Sequence, residues 1–156
     1  MDQMQKLQEY YDSIDTGFID SETKSMKQIP YWEVDSVWPK AAPMLQKAID
    51  TQDEWALDAV YKKLVNAYDP QPLQLWDGGT FALVTQIQAF PTGIRKCLLF
   101  LCGGSNLESI KEAQSQVEIW AKKYHGCTKM IIYGRRGWEK VLDRFKENTV
   151  ILEKAL

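Results

Sequence analysis

The sequence predicts a mixed α/β (α+β) domain in which an antiparallel meander runs on into a βαβ unit, with helices on both faces of one sheet. Three observations carry this. Cys97-Leu-Leu-Phe-Leu-Cys102 is apolar on both faces, as a central strand must be. The next stretch places Leu107, Ile110, Ala113, Val117, Trp120, Ala121 and Tyr124 at helical spacing and stops at Gly126, a residue suited to a left-handed cap. Met130-Ile-Ile-Tyr133 then reads as a short buried strand, so the two strands flank a helix and run parallel through a right-handed crossover.

The remaining elements follow in order. Residues 1–28 are set apart as an N-terminal arm, because Met1 to Tyr11 suits a short helix while Asp12 to Lys27 is polar, with Ile14, Phe18, Ile19 and Met26 to bury. Burial of so few apolar groups does not offset the entropy of ordering the segment. The folded domain is therefore expected over 29–156, beginning with Tyr31-Trp-Glu-Val34 as a strand. Asp35 or Ser36 can cap a helix carrying Val37, Trp38, Ala41, Leu45, Ala48 and Ile49. Pro39 fits the first turn of that helix, whereas Pro43 should kink it or delay its regular part. Thr51-Gln-Asp-Glu54 has the form of a capping box opening a second helix, with Trp55, Ala59, Val60, Leu64 and Ala67 as its stripe and Pro70 and Pro72 as its end.

The meander comes next. Leu73 to Trp76 turns at Asp77-Gly78-Gly79 into Phe81 to Phe90, which turns at Pro91-Thr-Gly93 into the strand from Ile94. After the βαβ unit, Trp138 to Phe145 reads as a short helix and Thr149-Val-Ile-Leu152 as a closing strand.

Composition narrows the function. A chain of 156 residues suits one domain with a core large enough to need no metal or disulfide. With 19 basic and 21 acidic residues the net charge of −2 gives no reason to expect nucleic acid or an anionic membrane as partner. Cys97 and Cys102, placed on opposite faces of one strand, and Cys127 make no disulfide framework, and a reducing cytoplasm fits best. Neither an export signal nor a membrane span is visible. One histidine and scattered cysteines supply no zinc ligand set.

From Tyr31 to Leu156 the order of elements resembles the GNAT N-acetyltransferase fold. In that family the turn after the fourth strand carries Q/R-x-x-G-x-G/A, whose backbone N–H groups and helix dipole hold the pyrophosphate of acetyl-CoA. The resemblance puts cofactor binding at Leu101, Cys102, Gly103, Gly104, Ser105 and Asn106. Gly103 and Gly104 would let a phosphate approach, but the leading Arg or Gln and the G-x-G spacing are absent. Ser105-Asn-Leu-Glu108 is itself a capping box, which fills the anion position with the protein's own carboxylate. The residues thus favour no resident cofactor, with acetyl-CoA the cofactor if the protein is active.

Family members often use an acidic residue on the fourth or fifth strand as base and a tyrosine on the last helix as acid. Here the fourth strand begins Arg95, Lys96, Cys97, and the last helix offers Trp138 and Phe145, so no catalytic residue is assigned. Glu139 and Asp143 suit a solvated helix face, Tyr124 and Tyr133 suit core or rim positions, and His125 suits a cationic cap beside Gly126. Gly134-Arg-Arg-Gly-Trp138 resembles the G-R-x-G-W turn of small GNAT-like proteins that recur in tailed-phage genomes, often near virion genes. It is either a tight turn over a packed Trp138 or a place where Arg135 or Arg136 meets a phosphate or an acidic partner. The resemblance implies a catalytically degenerate phage protein of the internal-virion or assembly kind. Its protein partners, virion proteins among them, would bind through residues 1–28, in the host cytoplasm or the particle. A working acetyl-CoA-dependent N-acetyltransferase is the alternative.

Overall fold

The computed structural model describes residues 3–15, 26–105, 110–133 and 144–156. Among these residues a five-stranded mixed sheet runs in sequence order: β1 (Lys27–Ile29), β2 (Leu73–Asp77), β3 (Phe81–Ala89), β4 (Arg95–Gly104) and β5 (Lys129–Ile131). The first four strands pair antiparallel and β5 joins β4 in parallel. Both hairpins of the meander turn where glycine tolerates positive φ, at Gly79 (83°) and Gly93 (88°). The Asp77 carboxylate tightens the first by accepting the Gly79 N–H at 2.9 Å.

Among the described residues four α-helices accompany the sheet: α1 (Gln3–Asp15), α2 (Val34–Ile49), α3 (Leu57–Val65) and α4 (Ile110–His125). The sheet separates two cores. On one face α2 and α3 set Val34, Ala41, Leu45, Ile49, Val60 and Leu64 against Leu73, Leu75, Ala82, Val84 and Leu101. On the other, α4 sets Ile110, Ala113, Val117, Trp120 and Ala121 against Trp76, Phe81, Leu83, Cys97 and Leu99. Trp76 and Trp120 are both fully buried and meet edge to face at 5.0 Å. The Trp76 indole N–H is satisfied by the Thr85 hydroxyl at 3.0 Å, which in turn donates to Gln74 at 2.9 Å. At the C-terminus of α4, Gly126 (φ 62°) donates to Lys122 and Cys127 donates to Ala121, a left-handed cap of the kind the sequence signals.

A β-bulge in β4 determines which side chain meets which core. Val84 pairs with Leu101 and Thr85 with Leu99, so Phe100 is an extra residue on β4. Before it Cys97 and Leu99 face α4; after it Leu101 faces α2 and Cys102 faces α4. Cys97 and Cys102 therefore lie on the same face, not on opposite faces as simple alternation requires, and Leu101 belongs to the α2 core.

Several expectations are corrected. Tyr31–Glu33 is a single 3₁₀ turn leading into α2, and the first strand is Lys27–Ile29. The described parts of segment 1–28 are not detached from the core: Met26 is buried in the α4 core, Gln116 Nε2 donates to its carbonyl at 2.7 Å, and Tyr10 and Tyr11 pack on the same cluster. A few large aromatics there outweigh the polar average of the segment. Helix α2 runs unbroken through both prolines, because Pro39 and Pro43 lie on its exposed side, where water can take the carbonyls they leave unbonded. Its N-cap is Glu33, with no side-chain bond. Thr51–Glu54 opens no helix; Gln52 Oε1 accepts the Glu54 and Trp55 N–H groups in a turn, and α3 starts only at Leu57. Residues 145–156 carry no strand, so the expected Thr149–Leu152 strand is unpaired. Most of the expected helix Trp138–Phe145 lies outside the described residues, as does Leu107.

Val117→Asp places a charge at a position with no solvent exposure and should lower unfolding free energy by more than about 4 kcal/mol. Ile119→Asp, on the exposed side of α4, should stay within about 0.5 kcal/mol in the same urea titration.

Candidate functional site

The candidate site lies at the carboxyl end of β4. Its pairing with β5 covers Lys96 to Leu98 and then stops, while β4 continues to Gly104 on β3 alone. Among the described residues no strand flanks Leu99–Gly104 on the β5 side, and the Phe100 bulge falls within that stretch. Strand backbone with one side unpaired offers amide and carbonyl groups to an extended ligand.

The turn that ends the strand is already packed. Gly103 meets α2 so closely that a Cβ built there would lie 1.9 Å from the Met44 carbonyl oxygen. Gly104 has φ 131°, and a Cβ on it would lie 2.4 Å from the Thr80 oxygen. The Ser105 N–H donates to that same oxygen at 2.9 Å. The glycines thus permit contact with the protein's own backbone, and the first amide after them is bonded within the fold. Leu101 is buried and Cys102 half-buried, so their side chains belong to the cores. Asn106, Arg135 and Arg136, together with Glu108 of the sequence capping box, lie outside the described residues.

No acid or base converges on this end of β4 among the described residues. Burial drives the Cys97 thiol far above its ordinary range, with Cys127 adding to it, and raises Cys102 to about 11, so neither is a thiolate nucleophile at neutral pH. Lys96 sits 5.2 Å over the Phe90 ring. No group of three or more His, Cys, Asp or Glu capable of holding a metal exists among the described residues. A crevice between α2 and β2, beside Lys40 and Asp77, has about 10 Å³ of room, enough for roughly one water.

His125, expected as a cationic cap, is held differently. It is half-buried, with its ring edge-to-face on Trp120 at 4.6 Å. The Tyr10 hydroxyl accepts from the Trp120 indole at 2.9 Å and lies 3.2 Å from His125 Nε2, to which it can donate when the imidazole is neutral. Burial first, then the Arg95 charge, lowers the His125 pKa. Burial likewise raises Tyr10, and Tyr11 to about 12, so both stay protonated. This constellation joins α1 to the end of α4. The sequence signal missed was Tyr10-Tyr11, whose aromatic area marks a docked helix.

No protein-family model matches the chain, and no curated protein matches it either. Among solved structures it is similar to a ribosomal-protein-alanine N-acetyltransferase from Brucella melitensis biovar Abortus 2308, with a TM-score of 0.54 and 12% identity. The match covers 84% of this chain and all of that one. At that identity the likeness is one of fold: the mixed sheet and its βαβ unit are GNAT-like.

Because His125 is depressed when folded, its neutral form is favoured there while the unfolded chain titrates near 6.5. Its contribution is complete above that value and is lost as pH falls below it and the unfolded state takes up the proton. The urea midpoint should therefore decline from pH 7 to pH 5, and His125→Gln should reduce that decline.

Proposed function

We propose that this chain is a GNAT-like scaffold that does not use acetyl-CoA and acts by binding other proteins, as an assembly component of a tailed-phage particle. The observation that carries the first part is the β4 turn, where Gly103 is filled by the Met44 carbonyl and the Ser105 amide is bonded to Thr80. A pyrophosphate cradle needs glycines that admit the ligand and amides that point at it.

The placement in a virion rests on the resemblance of Gly134–Trp138 to the turn of small phage proteins. Within residues 1–28 we assign the partner surface to the outer side of α1, where Met4 is 49% exposed, since Tyr10 and Tyr11 are engaged with the core. Host cytoplasm and assembled particle are the corresponding locations. The second reading, an N-acetyltransferase, is favoured by one feature, the open stretch of β4 beyond Leu98 with its bulge at Phe100. On that reading the strand backbone would hold acetyl-CoA.

Thermal unfolding with acetyl-CoA separates the two. A ligand bound with a dissociation constant of about 10 μM stabilises by roughly 2.7 kcal/mol at a hundredfold excess, a shift on the order of 5–10 °C for a domain of this size. The scaffold reading expects no shift at 1 mM acetyl-CoA. A shift of that size, reproduced as heat of binding by calorimetry, would put the enzyme first.

A further inference from the structure

Segment 146–156 is exposed along its whole length, although its sequence suits the inside of a sheet. Val150, Ile151 and Leu152 are 57, 74 and 90% exposed, a contiguous apolar run with strand propensity. At the other extreme of the described fold, β5 is the edge strand of the sheet, with its outer side unpaired among the described residues. An apolar strand-forming segment and an unpaired edge in one chain are two halves of one interaction.

We propose that residues 149–153 of one copy add as an antiparallel strand to the β5 edge of a second copy, forming a reciprocal dimer. The sequences specify a register. Glu153 opposite Lys129 sets Leu152 on Met130, Ile151 on Ile131, Val150 on Ile132 and Thr149 on Tyr133. This matches charge with opposite charge and three apolar residues with three apolar residues. Met130 and Ile132 already pack against the α4 core, so Leu152 and Val150 from the partner would extend that core past its present edge. Ile151 would lie on the other face beside Ile131. The occupant is a second copy because, in the isolated chain, residues 149–156 form no strand and are exposed. Reciprocal exchange covers both apolar runs and both edges with one self-complementary contact. The inference does not depend on whether acetyl-CoA binds.

Light scattering after size exclusion, from low to high micromolar protein, reads the oligomer directly. The dimer is expected, and Leu152→Asp, a change at a side chain that is exposed in the monomer and leaves its core intact, should abolish it while the melting profile stays cooperative. Lys129→Glu should weaken dimerisation by roughly tenfold, through repulsion at two symmetry-related pairs. Adding Glu153→Lys should restore it, a rescue that depends on the register. A wild-type chain that stays monomeric at high concentration, including one that folds the segment back on its own β5, overturns the proposal. So does a dimer indifferent to Leu152→Asp, or a Lys129→Glu defect that the charge swap leaves unrescued.

Discussion

The approach of helix α2 to strand β4 at Gly103 is the contact on which the rest of the arrangement depends. The Met44 carbonyl occupies the place where any other residue would carry its Cβ. Moving the helix out to admit a side chain would lift Ala41, Leu45 and Ile49 from Leu75, Val84 and Leu101, which are the centre of that core. Packing at native density leaves no slack to absorb such a shift. Gly104 then uses its positive φ to bring the chain across the start of β3, where Ser105 caps the Thr80 carbonyl. Both glycines are thus accounted for by layer packing before any ligand is considered.

The Phe100 bulge works with this contact. A regular ten-residue strand that keeps Cys97 and Leu99 under α4 would also keep Leu101 there, and the α2 core would lose a residue at its deepest point. One extra residue exchanges the faces midway, so that each half of β4 serves the helix above it. Phe100 itself turns toward the α2 side, edge-on to Trp55 at 5.0 Å, which gives that half-buried tryptophan a partner outside any helix. The same bulge lies just past the last residue shared with β5. The turn that follows is closed by the protein's own backbone.

Much of this was legible in the sequence where periodicity and turn chemistry agreed. The meander, its glycine turns, the α4 stripe and the Gly126 cap follow from local pattern, and the mixed sheet follows from their order. Helix α2 was legible but Pro43 misled, since its cost depends on which side of the helix faces water, and that is set by the sheet beneath. The bulge was invisible because every residue from Cys97 to Cys102 is apolar, and a run without alternation cannot reveal a change of face. The docked arm was missed because its segment was judged by average polarity, whereas Tyr10, Tyr11 and Met26 supply the contacts. The turn at Gly103-Gly104 read as a packing site ahead of a phosphate site, without showing what packs there. The Met44 carbonyl that lies against Gly103 is distant in sequence and could not be read from the local pattern.

The central claim is that the β4 turn is closed by the protein's own backbone, with the Ser105 amide bonded to Thr80, and is not offered to a phosphate. Amide NMR of the ¹⁵N-labelled protein tests it most directly, through exchange with solvent and titration with coenzyme A. The account predicts a Ser105 amide that exchanges slowly in the free protein, with Gly103, Gly104 and Ser105 resonances that do not move as coenzyme A is added to millimolar concentration. A Ser105 amide that exchanges freely, together with saturable shifts at these three positions, would contradict it.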